Sequence, residues 1–396
     1  MNVKSNRKRA LLLLLSETSP AVPSSSSMWV HPINKERETH GEYHHLMPQL
    51  RNDPPKFKEY FRMSAETFDY ILELISPVIY KQTTNLRKPV SPEERLSVTL
   101  RFLATGLSFR GLAFTFRMGV TTVRMIVLET CDALWKILQS THMPVPDAQI
   151  CKHAAEEYWT KWNFPNCFGS IDGKHIRIQC PTKSGSQYYN YKQFFSLVLQ
   201  GVADARCRFL TIDVGAMGKQ SDGGVFSSSD LFRCLEKNAF NLPESMPIPN
   251  TNVETPLMLV GDEAYPLLPY LMRPFPRSNL NIPNKIFNYR LSRARRSVEC
   301  AFGIMASKFR ILNKSIETQV EFAEHIVKAC CILHNVIIDK EGTDYDLFDE
   351  TSTSAITPLP TSRKRQSRNV ALNLRNTLKE FFISEQGSLP WQDVMQ

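Results

Sequence analysis

Two periodicities divide the chain. From Phe57 to about Ser140 apolar residues recur at helical spacing, and from Cys167 the spacing shortens to that of strands. Ser64-Ala65-Glu66-Thr67 can open a helix with Ser64 as its cap, after which Phe68, Ile71, Leu72 and Ile75 share one face. Ser91-Pro92-Glu93-Glu94 opens another, with a cap, a first-turn proline and early acids. Leu96, Leu100 and Leu103 carry its stripe, and Gly106 can end it. Ser108 to Ile126 then reads as helix, turn at Gly119, helix, with Val123, Ile126 and Val127 inward. A helix-turn-helix that lays its second helix in a DNA groove has this pattern, with Arg117 and Arg124 as phosphate partners; so has an αα-hairpin in a bundle.

Pro144 and Pro146 break the pattern and lead into another amphipathic helix. Strands are expected over 167–171 and 175–179, then 194–204 and 209–214, as an antiparallel meander. Asp172-Gly173 between the first two is a strong hairpin-turn signal. A helix over 224–235, a buried strand over 257–260 and helices over 288–307 and 320–338 follow. Such an order gives a mixed α/β sheet covered by helices. A last amphipathic helix runs from Arg368 to Ser384. The expected organisation is a poorly ordered basic tail (1–54), a helical, helix-turn-helix-like domain (55–142), a linker and helix (143–164), the α/β domain (165–339), a disordered linker (340–369), and a C-terminal helix and tail (370–396).

Composition narrows the partner. The 396 residues are 42% hydrophobic and 22% charged, as in ordinary globular chains, with a formal charge of +9. The basic excess favours a polyanion such as nucleic acid, though solubility alone would account for it. Nine scattered cysteines include no Cys-x-x-Cys pair, which points to reduced thiols packed in cores rather than to zinc. Leu11 to Leu15 behind Lys4, Arg7, Lys8 and Arg9 imitate a signal peptide, but no small-x-small cleavage pattern follows. No run reaches the roughly 18 apolar residues of a membrane span, so no membrane partner is expected. Arg7-Lys8-Arg9 and Arg363-Lys364-Arg365 are weak nuclear-import signals, and equally well solvated tails.

Three acids stand in apolar or helical settings: Asp172 in Phe168-Gly169-Ser170-Ile171-Asp172, Asp262 after Leu257-Met258-Leu259-Val260-Gly261, and Glu299 in Val298-Glu299-Cys300-Ala301-Phe302. A charge among core residues must be paired, hydrogen-bonded or metal-bound. Each has a plainer explanation. Asp172 suits a turn, Asp262 a cap, and Glu299 an ion pair with Arg295 or Arg296 on its own helix. Two acids at strand ends and one on a following helix can nevertheless meet at one sheet edge. Their hard oxygens suit Mg²⁺ or Mn²⁺, the ions of phosphodiester displacement.

The chain resembles the PIF/Harbinger transposase-derived nucleases of the DDE superfamily. The resemblance rests on Phe168-Gly169-Ser170-Ile171-Asp172-Gly173-Lys174-His175-Ile176, Tyr189-Asn190-Tyr191-Lys192 and Gly218 to Phe226. It rests also on Gly261-Asp262-Glu263-Ala264-Tyr265-Pro266, Asn288-Tyr289-Arg290-Leu291-Ser292, Arg295 to Gly303, and Leu333-His334-Asn335. It implies an RNase H-like mixed sheet flanked by helices, preceded by the all-α region. It further implies an Asp172–Asp262–Glu299 triad with a divalent metal, Asp222 as an accessory acid or a helix cap, and DNA cleavage in the nucleus. Where the family has His-Asp-Ser, this chain has Ser221-Asp222-Gly223. Lys192, Arg290, Arg293, Arg295 and Arg296 become candidate phosphate contacts, and a Myb-like protein the expected partner for DNA binding and nuclear entry. The alternative is a catalytically silent adaptor that binds DNA or chromatin. His334, inside an apolar helix, reads as a hydrogen-bonded core residue.

Overall fold

The structure is a computed structural model and describes residues 30–83, 89–278, 280–342 and 365–395. Helices come first: α1 (Pro32–Lys35), α2 (Arg37–His40), α3 (Glu42–Arg51), α4 (Pro54–Phe61), α5 (Ala65–Ile79), α6 (Pro92–Thr105), α7 (Phe109–Thr115), α8 (Val120–His142) and α9 (Ala148–Trp162). Then come β1 (Cys167–Arg177), β2 (Ser196–Ala203), β3 (Phe209–Met217), α10 (Asp222–Ser228) and α11 (Asp230–Glu236). The small hairpin β4 (Met246–Pro247) and β5 (Glu254–Thr255) precedes β6 (Met258–Val260) and β7 (Leu271–Met272). Two long helices, α12 (Ile282–Lys308) and α13 (Val320–Glu341), and finally α14 (Arg365–Ile383) complete the chain.

The caps read from sequence are in place. Ser64 and Ser91 accept from the backbone N–H three residues on, and Gly106 ends α6 in the left-handed region. Helices α7 and α8 meet at 108° through the Gly119 turn. One face of α8 is interior: Val123, Ile126, Val127, Cys131, Leu134 and Leu138 are buried, in one apolar core with α5, α6 and α13. That core continues beneath the sheet, where Ile176, Leu197, Leu199 and Phe302 join it.

The main sheet has the order β3-β2-β1-β6-β7. The first three strands form the antiparallel meander, and β6 and β7 run parallel to β1 and to each other. Helices α12 and α13 cover one face, while α9, α10 and α11 cover the other with Ile171, Phe226, Leu231 and Leu259. This mixed sheet between helical layers, behind an all-helical N-terminal region, is the RNase H-like architecture.

Three expectations change. Asp172-Gly173 makes no hairpin; β1 runs through it, with Asp172 opposite Gly201 and Gly173 opposite Gln200. The eight buried residues of β2 need a partner along their whole length, so the chain turns only at 178–195. The helix expected over 224–235 is two, because the Ser229 hydroxyl accepts from Phe232 N–H and caps a new start. Residues 30–54 are helical rather than a tail. Tyr43, Leu46, Met47 and Leu50 lie at helical spacing and pack on the core. Asp53 caps the helix that starts at Pro54. The signal-like leucine run, Arg7-Lys8-Arg9, Arg363-Lys364 and most of the expected 340–369 linker lie outside the described residues.

His334 is fully buried and meets the Cys207 carbonyl at 2.8 Å. Its neighbour Asn335 exchanges two hydrogen bonds with the Phe209 backbone at the start of β3. The Leu333-His334-Asn335 motif thus anchors α13 to the sheet.

Candidate active site

The site forms where the pairing partners of β1 stop matching its length. Strand β6 pairs with β1 only as far as Val260, opposite Ser170. Beyond that point β1 continues alone on this side and presents Asp172. The chain leaving β6 turns at Asp262, whose Oδ1 accepts from Ala264 N–H at 2.9 Å. A crevice at the carboxyl ends of parallel strands, where connections diverge, is the usual ligand site of α/β sheets.

Buried hydroxyls fix the third carboxylate. Ser170 Oγ lies 2.6 Å from Ser297 Oγ and accepts from Val298 N–H at 3.1 Å. Tyr158 from α9 hydrogen-bonds Ser297 and donates to the Ala203 carbonyl. These groups staple α12 to β1 two residues before Glu299 and two before Asp172. Side chains on one strand face recur every second residue, so Ser170, Asp172 and Lys174 all face α12. Sequence reading passed over Ser170 and Ser297, since a small hydroxyl among apolar neighbours carries no spacing signal.

Asp222 arrives from the other face. A Cβ on Gly173 would stand 2.1 Å from Asp222 Oδ1, so only glycine lets this carboxylate lie against β1. The first turn of α10 also packs on the loop after Asp262, where a Gly223 Cβ would meet the Ala264 carbonyl at 2.5 Å. The serine of the family pattern could not enter this backbone unchanged. Ser221 caps α10, so Asp222 does not. Gln200 Nε2 reaches both the Asp222 carbonyl and Tyr265 Oη at 3.4 Å.

The electrostatics tie the acids into one cluster. Asp172 is pushed up to about 7, first by burial and then by the charges of Asp262 and Asp222, against the pull of Arg295. Asp222 rises to about 6 by burial and by Asp262, opposed by Lys192 and Arg295. Burial also raises Glu299, with Arg295 and Arg296 pulling down and Asp262 pushing up. Asp262 and Arg295, with opposite effects, are therefore the charges that Asp172, Asp222 and Glu299 share. Tyr265, fully buried, feels all three aspartates.

Among the basic residues expected to contact phosphate, Arg295 stands at the centre. Its guanidinium lies 3.4 Å from Glu299 and 3.9 Å from Asp172, with only 16% of its side chain exposed. Its buried Nε has no hydrogen-bond partner among the described residues. This is more than the surface i,i+4 pair that the sequence spacing describes. Arg296 acts on Glu299, and Lys192 is exposed beside Asp222. Arg293 packs over Trp391 at 4.6 Å. Arg290 is a correction: it is fully buried and donates to the carbonyls of Asn163 and Gly387 and to Gln392 Oε1, so it cannot meet DNA. Arg117 and Arg124 belong to the helical layer, Arg124 exposed over Phe322 and Arg117 donating to the Ile33 carbonyl.

Among the described residues, no three His, Cys, Asp or Glu side chains already converge as a coordination shell. The donor set still fits a divalent cation. Burial and the neighbouring Asp262 raise the proton affinity of the hard carboxylates Asp172, Asp222 and Glu299, and Arg295 lies within ion-pair reach of both Asp172 and Glu299.

A mixed sheet of this order, with one acid midway along its central strand and another just past the end of β6, is the arrangement of the RNase H-like DDE endonucleases. Residues 171–335 match the family described as DDE superfamily endonuclease. The chain is 30% identical to the ALP1-like protein of Arabidopsis thaliana, over 74% of this chain and 73% of that one. It is 29% identical to Antagonist of Like Heterochromatin Protein 1 of the same plant, over 73% and 76%. Against the protein of Rattus norvegicus named "Putative nuclease HARBI1" it is 24% identical, over 80% and 86%. No solved structure is significantly similar. The chain belongs to the Harbinger transposase-derived DDE endonuclease family.

Proposed function

We propose that this protein is a divalent-metal-dependent DNA endonuclease that cleaves phosphodiester bonds with Asp172, Asp262 and Glu299. The observation that carries this is the cluster itself, in which Asp262 acts on Asp172, Asp222 and Glu299 while Arg295 spans Asp172 and Glu299. Asp172 and Asp262 would hold Mg²⁺ or Mn²⁺ with Glu299, and Asp222 would serve as an accessory acid. The metal, when bound, would activate the attacking oxygen and stabilise the departing one.

The chain's own residues set the geometry. The Ser170–Ser297 staple fixes the separation of β1 and α12, hence of Asp172 and Glu299. Arg295 holds Glu299 in place, 3.4 Å from its carboxylate, and adds its charge to the cluster. Arg296 and Lys192 add positive charge where the DNA backbone would pass. The protein would act in the nucleus, with a Myb-like partner supplying sequence recognition.

The test is plasmid cleavage by purified protein with Mg²⁺ or Mn²⁺ and the partner present, beside Glu299→Gln. Loss of cleavage in a folded Glu299→Gln supports the nuclease. Intact DNA binding with no cleavage under any condition would mean a silent adaptor. Gly173→Ala probes the geometry separately. The added methyl must displace Asp222, and a misplacement of about 1 Å costs about 10²-fold in rate. Cleavage by Gly173→Ala is expected to fall on that scale while its circular dichroism stays unchanged.

A further inference from the structure

The loop over 178–195, which joins β1 to β2, is built to present one ring. Asn190, only 3% exposed, is its pivot. Its Oδ1 accepts from the N–H groups of Lys192 and Phe194, and its Nδ2 donates to Ser196 Oγ at 2.9 Å. Ser196 Oγ also meets His175 Nδ1 at 2.9 Å. The loop is clamped to the end of β3, where a Gly218 Cβ would stand 2.5 Å from the Tyr188 carbonyl. Yet the residues beside the pivot point outward: Tyr189 is 42% and Tyr191 64% exposed. Tyr191 meets the fold at His175 and leaves most of its surface in water.

The ring's position is the second observation. Gly173, His175 and Arg177 occupy one face of β1, two residues apart. Asp222 lies on Gly173, the Tyr191 ring on His175 with centroids 5.6 Å apart, and the Phe194 ring beneath the Arg177 guanidinium at 4.4 Å. The strand positions that Asp222 and Tyr191 cover, Gly173 and His175, are one side-chain step, about 7 Å, apart. Lys192 lies 5.5 Å from the Tyr191 ring centroid, and its charge is felt at Asp222. An exposed ring with a cation beside it, next to an acid cluster, matches how proteins hold unstacked bases.

We propose that Tyr191 is a stacking platform for an unpaired base of the DNA strand whose phosphate lies at the aspartates, with Lys192 on the adjoining phosphate. This rests on the nuclease reading and deepens it. The preferred substrate is DNA that is locally single-stranded at the cut: an overhang, a flap or a frayed end.

The test measures binding by fluorescence anisotropy of the full chain in EDTA, so that cleavage plays no part. The probes are a blunt duplex and the same duplex with a short single-stranded overhang. Wild type is expected to prefer the overhang. Stacking on one aromatic ring is worth about 1–3 kcal/mol, so Tyr191→Ala should lose about 5- to 150-fold on the overhang and little on the blunt duplex. Tyr191→Phe should retain the preference. Lys192→Gln should weaken both probes alike and flatten the salt dependence. Equal affinity of Tyr191→Ala and wild type for the overhang, with duplex binding intact, overturns the platform alone. Failure of wild type to prefer the overhang overturns the platform likewise, while the nuclease reading stands or falls on the plasmid assay.

Discussion

Asp262→Asn is expected to abolish cleavage while leaving the protein at least as stable as wild type. Asparagine keeps the side-chain oxygen that accepts from Ala264 N–H, so the turn after β6 survives. What disappears is the charge that acts on Asp172, Asp222 and Glu299 at once. Its loss relieves repulsion in a partly buried cluster, which holds or raises the unfolding temperature. The same loss removes a metal-binding oxygen and charge, and cleavage should fall by at least about 10²-fold, the scale for deleting one charge-stabilising group. Mn²⁺ titration followed by electron paramagnetic resonance should show weaker binding. A purely structural Asp262 predicts that cleavage and Mn²⁺ affinity are both unmoved, because asparagine keeps the hydrogen bond to Ala264 N–H. Plasmid cleavage, thermal unfolding and Mn²⁺ titration on one preparation decide between them.

Arg290→Ala should have the largest effect on stability. The guanidinium serves three acceptors: the Asn163 carbonyl at the end of α9, the Gly387 carbonyl, and Gln392 Oε1. It also packs 4.4 Å from the Phe382 ring centroid. A buried acceptor left without its donor costs about 1–3 kcal/mol, and the missing side chain leaves a void besides. A loss of about 3–5 kcal/mol is expected, in the upper tail for one substitution. Urea unfolding measures it, and limited proteolysis should release the C-terminal segment before the rest. A loss under about 1 kcal/mol would contradict an anchoring role for this guanidinium. Arg290→Lys should recover only part, because an ammonium cannot span acceptors on several sides.

The acids are legible in sequence because a charge set among apolar residues demands a reason. Asp172 shows the limit of local rules. Asp-Gly is a turn signal in isolation, but the ladder with β2 outweighs it. Arg290 shows a signal that was available: it stands three residues after buried Phe287 and four before buried Ala294, on the inward stripe of α12. A cationic residue type drew the reading toward DNA, although its place in the period marked it as interior. The partnership of Arg295 with Asp172 was beyond reach, since it joins a helix to a strand far away in sequence. Asp222 against Gly173 needed the three-dimensional approach of two faces, which no spacing encodes.

Helix α12 carries both Arg290 and Glu299 without interruption. Nine residues at 1.5 Å each set them about 13 Å apart on one stiff rod. The C-terminal segment around Gly387 and Gln392 therefore acts as a mooring for the helix that carries Glu299. Anything that casts off this mooring, such as a modification beside Trp391, would free the leading half of the rod and throw its restraint onto the Ser170–Ser297 staple beside Glu299. A disturbance at that far end would be felt at the glutamate while the aspartates on the sheet stayed undisturbed.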